Sequence, residues 1–153
     1  LTGRPPLVDL ALESTVQAFL RQAIAAGLVA SAHDLSDGGL AVAAAEACLA
    51  GGLGAHLSLP AGLARPDRLL FAEGGARVLV SVPVERAEAW SSALAQAGEG
   101  LPAQALGTVV ADPTLTIQRG GTQLLQLPVA TLHSCYEQAI PRRLREAGPP
   151  PEH

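Results

Sequence analysis

The sequence contains no lysine, no asparagine and no methionine, and only 3% of its 153 residues are aromatic. Without an ε-ammonium group there can be no Schiff base and no Walker-type phosphate loop, since both need that amine at a defined place. Scarce rings mean that a chain 48% hydrophobic must build its core from Ala, Leu and Val, small side chains that favour close packing of helix on sheet. Richness in Ala and Arg alongside these absences also fits a GC-rich genome, so the lysine deficit is not by itself a functional trait. A chain that begins at Leu1 and lacks any methionine is expected to be a piece of a longer one.

Basic charge is likewise in short supply. A formal net charge of −4 gives no general attraction for phosphate backbones, and the arginines are dispersed apart from Arg142, Arg143 and Arg145, which sit where they would complement a helix C-terminus. Nucleic-acid binding is therefore not expected. The two cysteines, Cys48 and Cys135, have no CxxC spacing, and His33, His56, His133 and His153 form no ligand pattern. Neither a zinc site nor a disulfide framework is indicated, and a reducing, cytoplasmic setting fits best. The most apolar stretch, 40–55, is interrupted by Glu46, Gly51, Gly52 and Gly54, too broken to span a bilayer.

What is present reads as one domain over 8–146, preceded by a linker at 1–7 and followed by a Pro-rich tail at 147–153 that is expected to be disordered. Val8, Leu12, Val16, Phe19, Leu20 and Ala23 recur at steps of three and four, which predicts a helix over 8–26 that stops at Gly27. Alternation then predicts strands over 28–33, 53–59, 77–82 and 104–110 in one mixed sheet. A helix from Gly38 to the Gly51-Gly52 pair carries Leu40, Ala43, Ala44, Ala47 and Cys48 on its buried face, and another over 85–97 carries Trp90 and Leu94. Residues 61–72 read as a connection with one helical turn. Arg119-Gly120-Gly121 between 115–118 and 122–126 is a hairpin signal, and 128–145 is helical but divided by Pro141. The order predicts an α/β (α+β) fold, a layered sandwich with helices packed on a mixed β-sheet.

The segment His33-Asp34-Leu35-Ser36-Asp37-Gly38-Gly39-Leu40-Ala41 joins a strand end to a helix start through two acids and two glycines. A helix N-terminus offers unpaired backbone N–H groups, glycines let a phosphate approach them, and carboxylates beside them could hold Mg²⁺. The same residues are also those of a plain helix start, with Ser36 or Asp37 as N-cap and the glycines as turn residues. Asp34 is expected to face an interface with another domain. His33 reads as a hydrogen-bonded structural residue. Glu73-Gly74-Gly75-Ala76-Arg77 is a second candidate, with a surface pair between Glu73 and Arg77 as its plainer reading. Cys48 reads as a small core residue, and Cys135 has no partner for a nucleophilic role.

Residues 28–43, with Ala45-Glu46, Gly52-Leu53-Gly54-Ala55, Leu70-Phe71-Ala72-Glu73, Arg77 before a Val-rich strand and Leu106-Gly107-Thr108-Val109, closely resemble the last domain of the phosphoribosylformylglycinamidine synthase family. The resemblance covers about 6–145. It implies a fold like the C-terminal domain of aminoimidazole ribonucleotide synthetase, and an ATP- and Mg²⁺-using ligase of purine synthesis that converts formylglycinamide ribonucleotide and glutamine-derived ammonia to the amidine. It also implies as partners the preceding domains of the same chain, a glutaminase subunit and a small bridging subunit. The family's catalytic histidine, ATP-contacting lysine and main metal carboxylates lie in earlier domains. The resemblance thus implies no catalytic residue, no metal ligand and no bound cofactor in the isolated domain, which is expected to be inert alone. By internal pseudo-symmetry Asp34 and Glu73 match positions that meet metal and substrate in the family's other copy of this domain, with Ala72 where a Ser is usual. The candidate ligand-binding or interface residues are thus Asp34, Ser36, Asp37, Gly38, Gly39 and Glu73. The alternatives are a C-domain of a related synthetase or kinase, or a stand-alone binding or assembly module.

Overall fold

The computed structural model describes residues 7–62, 65–98 and 101–146; the expected linker, apart from Leu7, and the expected disordered tail lie outside them. Along the chain run α1 (Leu10–Ala25), β1 (Ser31–Asp34), α2 (Gly39–Gly51), β2 (Gly54–Leu59), α3 (Pro66–Phe71), β3 (Val78–Ser81), a 3₁₀ turn (Val84–Arg86), α4 (Ala87–Ala97), β4 (Gly107–Val110), β5 (Thr114–Arg119), β6 (Thr122–Pro128), α5 (Val129–Tyr136) and α6 (Ala139–Glu146).

Local chemistry sets these boundaries. Asp9 opens α1 from an extended conformation, its Oδ1 accepting from the N–H groups of Ala11 and Leu12 at 3.0 Å each, which satisfies two donors that the helix leaves orphaned. Gly27, with φ 65°, closes it: Gly27 N–H donates to Ile24 O and Leu28 N–H to Ala23 O, the paired bonds of a Schellman stop. The N–H of Leu28 is thereby spent on the helix, and for that reason β1 begins at Ser31 rather than at 28 as alternation suggested. At the other end of the chain the helical stretch does divide, but before Pro141 instead of at it: α5 ends at Tyr136, and Pro141 lies within the first turn of α6, where its missing N–H costs no intrahelical bond.

The strands form two sheets, which corrects the expectation of one. β1 and β3 make an antiparallel ribbon of their own, with Ser31 opposite Ser81 and their hydroxyl oxygens 2.6 Å apart. The other four form a mixed sheet in the order β4-β2-β5-β6, with β2 and β5 parallel and the remaining pairs antiparallel. α2 explains the split, because its small apolar side chains surround it on nearly every side and it touches both sheets. A helix apolar all round is one buried from several directions. Its Leu40, Ala41, Ala43, Ala44 and Cys48 pack with Ala55, Leu57 and Leu59 of β2 and with Leu115 and Ile117 of β5 in one continuous core. Leu115 and Ile117 have no exposed surface; burying each such side chain contributes roughly 1.5–3 kcal/mol.

The hairpin between β5 and β6 turns on Gly120 and Gly121, both with positive φ (55° and 79°). That is the backbone of a type I′ turn, which needs two such residues and matches strand twist. On the far side of α1, Phe19 meets Trp90 of α4 edge to face, centroids 5.3 Å apart.

Candidate functional site

Where β1 runs out, the ribbon adds one more bond, Leu35 N–H to Arg77 O at 2.9 Å, and Leu35 turns into the core. This bond brings the loop after α3 alongside the turn Ser36-Asp37-Gly38-Gly39. The turn closes through Gly39 N–H to Ser36 O at 3.1 Å, with Gly38 at φ 80°, ψ 2°, the values of the third residue of a type II turn. Neither glycine tolerates a side chain. A Cβ on Gly38 would lie 2.3 Å from Val42 Cγ2, and one on Gly39 would lie 2.7 Å from Ala72 O. Gly39 is buried, and the absence of its side chain lets the end of α3 seat against the start of α2.

The cap of α2 differs from the expected one. Gly38 occupies the N-cap position, and neither Ser36 nor Asp37 accepts a capping bond from a backbone N–H. Instead Glu73 reaches across the turn, its Oε1 accepting from Gly38 N–H at 3.1 Å. A carboxylate is the favoured partner at the positive end of a helix, and a left-handed Gly38 aims its N–H outward toward the neighbouring loop. The suggested pair between Glu73 and Arg77 is also replaced: the Arg77 guanidinium donates to the carbonyl of Ala72.

An open cleft of about 330 Å³ results, lined by Asp34, Ser36, Asp37 and Glu73, by Glu13 and Gln17 of α1 and by Arg77. Four of the six candidate residues thus share one surface, while Gly38 supplies the bonded N–H beneath it and Gly39 lies buried. The Asp34 side chain is 75% exposed. Glu13 and Gln17 were not singled out in the sequence. Their only signal is an i,i+4 polar pair flanking buried Val16, joined by Gln17 Nε2 to Glu13 Oε1 at 2.7 Å. Four carboxylates face one guanidinium here, so the cleft is net acidic.

A second groove lies on the other side of β1. His33 Nε2 is 3.0 Å from Glu46 Oε2, and its Nδ1 is 2.8 Å from Asp34 O, so both ring nitrogens have local partners, as a structural histidine should. Glu46 also faces the hydroxyl of Tyr136. Its hydrogen bond and negative charge, with a lesser part from burial and Glu137, hold that phenol above its ordinary value. One turn back on α5, His133 pairs with Glu137 at 2.9 Å. Cys48 is a core residue whose thiol burial pushes up, making the reactive thiolate scarcer, and Cys135 is exposed. Among the described residues, no three His, Cys, Asp or Glu side chains gather closely enough to hold a metal ion, and no helix is long and apolar enough to cross a membrane.

A family model described as AIR synthase related protein, C-terminal domain, matches residues 1–120. Subunit PurL of phosphoribosylformylglycinamidine synthase from Prochlorococcus marinus (strain MIT 9303) is 60% identical over 148 residues, 94% of this chain and 19% of that protein. The subunit from Synechococcus sp. (strain WH7803) is 51% identical, over 96% of this chain and 19% of its own length. The chain therefore spans about a fifth of the curated relatives it matches. Among solved structures, Thermotoga maritima PurL complexed with FGAR superposes with a TM-score of 0.71 at 24% identity, covering 83% of this chain and 22% of that one. The hydrogenase maturation protein HypE in complex with ATP gives 0.57 at 19% identity, covering 72% and 39%. These two likenesses establish the shared α/β fold.

Proposed function

Since the chain belongs to the AIR synthase related protein, C-terminal domain family, we propose that it is the last domain of a phosphoribosylformylglycinamidine synthase. The observation that carries this reading is 60% identity sustained across 94% of the chain with one such subunit. The intact enzyme would use ATP and Mg²⁺ in the cytoplasm to convert formylglycinamide ribonucleotide and glutamine-derived ammonia to the amidine, working with a glutaminase subunit and a small bridging subunit. Thermotoga maritima PurL has been solved complexed with ATP and with ADP, and as PurLQS, which supports nucleotide use and multi-subunit assembly.

Within that enzyme, residues 8–146 act as one domain, and the cleft beside β1 is its face toward the preceding domains. The cleft does not fit Mg²⁺ or a phosphate group. No three candidate ligands converge among the described residues, the sequence has no lysine, and the Gly38 N–H is already bonded to Glu73. In this reading ATP and Mg²⁺ are held by other parts of the enzyme, and the isolated domain is expected to be inert. Its contribution is to position those parts, since a small misplacement of reacting groups is costly to rate.

The test pairs two measurements on Asp34→Ala. Denaturant unfolding of the isolated chain should change little, because the carboxylate is exposed and makes no cap. Steady-state turnover of the full-length enzyme should fall by about tenfold or more, the scale of a positional error. Unchanged turnover per folded molecule, coupled with a destabilised fragment, would make Asp34 a local structural acid and remove the interface role. Absence of ATP-dependent amidine formation by the wild-type full-length protein would remove the ligase reading itself.

A further inference from the structure

We infer that the outer edge of β3 is a docking edge, which in the intact protein takes an extended segment of the same polypeptide as a third strand of the ribbon. The inference rests on the reading of this chain as the last domain of a longer synthase, and deepens it. Among the described residues β3 pairs with β1 alone. Leu35 N–H bonds to Arg77 O, and antiparallel alternation repeats that pattern at Leu79 and Ser81, so the N–H and C=O groups of Val78 and Val80 point away from β1. All four β3 side chains are half-buried, with Leu79 against the core and Val78 lining the cleft together with Val16 of α1. An apolar strand covered on both faces has the sequence and burial of an interior strand, yet it lies at an edge.

The two edges of the ribbon differ. Along β1 the outward carbonyl of Asp34 has His33 Nδ1 2.8 Å away, and the Asp34 carboxylate is the kind of charge that keeps other strands off an edge. β3 is Val-Leu-Val-Ser, with no charge, no proline and no bulge, so it lacks the usual protections of an edge strand. Its size selects the occupant. Four residues make an edge about 13 Å long, too small a strip for the roughly 1,200 Å² of a stable interface, and a second copy would not stay on it. A segment of the same polypeptide needs less area, because linkage alone gives it an effective concentration in about the millimolar range. The chain matches only 19% of the length of each of two curated relatives, which leaves ample polypeptide to supply one. Val78 also lines the cleft proposed to face the preceding domains, so edge and cleft form one continuous surface. The segment that fits is extended, apolar beside Val78 and Val80, and free of proline where it bonds them.

The test is residue-resolved amide hydrogen exchange on the full-length protein, read by mass spectrometry with non-scrambling fragmentation. Leu79 and Ser81, whose N–H groups face β1, are the internal reference. With the segment in place, Val78 and Val80 should exchange within about tenfold of that pair, and should still do so after dilution by about a hundredfold. Two alternate amides slowed together mean backbone bonding, since buried N–H groups are rarely left unpaired. Alternating protection, with Val78 and Val80 faster by about a hundredfold or more, would mean an open edge and overturn the inference. Slow exchange that disappears on dilution would overturn it as well, because the occupant would then be a second copy. Turnover is measured separately: a full-length protein that forms no amidine would remove the ligase reading, while the exchange pattern would still decide whether the edge is filled.

Discussion

Asp9 secures the start of α1 with a single carboxylate oxygen shared between two backbone donors, and Asp37, although it lies next to the first residues of α2, secures nothing of the kind. The two acids should separate in urea unfolding: Asp9→Ala is expected to cost about 0.5–2 kcal/mol, whereas Asp37→Ala should stay within about 0.5 kcal/mol of wild type. An equal loss from both would mean that Asp37 caps in solution. The contrast shows what was legible at this scale. Two acids and two glycines at a strand-to-helix junction mark a tight turn, and Asp34, Ser36, Asp37 and Glu73 line one cleft. Which acid caps the helix was not legible, because the choice depends on the left-handed backbone of Gly38 and on Glu73, a residue 35 positions away.

At the scale of elements, glycines and apolar periodicity locate most of the helices and strands among the described residues to within a few positions, while they show α3 only as a connection with one helical turn and set the break between α5 and α6 at Pro141. Misplaced boundaries trace to hydrogen bonds the pattern does not carry, as at Leu28, whose N–H is taken by α1. Pairing was less legible than existence. β1 is Ser-Ala-His-Asp and β3 is Val-Leu-Val-Ser, and nothing in such short patterns names a partner strand, so the separate ribbon emerged only from the fold. α4 shows how thin the outer layer is, since none of its residues is fully buried and its best-defined contact is Trp90 against Phe19. A double-mutant cycle with Phe19→Leu and Trp90→Leu should therefore return a coupling of about 0.5–1.5 kcal/mol beyond the separate losses, the usual worth of an edge-to-face pair. A coupling near zero would place the attachment of α4 elsewhere.

For the molecule as a whole, the feature with the widest reach is the parallel pairing of β2 with β5. Ala55 and Leu115 are register partners drawn from opposite halves of the chain, and everything between them, including β3 and α4, must be looped out before the pair can form. Loop-closure entropy is paid before such a contact gives anything back, whereas the β5–β6 hairpin needs only its two-glycine turn. Assembly should accordingly proceed from the hairpin outward, with β2 arriving late. Pulse-labelled hydrogen exchange during refolding should find the amides that join β5 to β6 protected before those that join β2 to β5; simultaneous protection would mean that the sheet forms in one step. Until β2 docks, the inward faces of Leu115 and Ile117 stand open to solvent and to other chains, so the yield of folded protein should fall as its concentration during refolding rises.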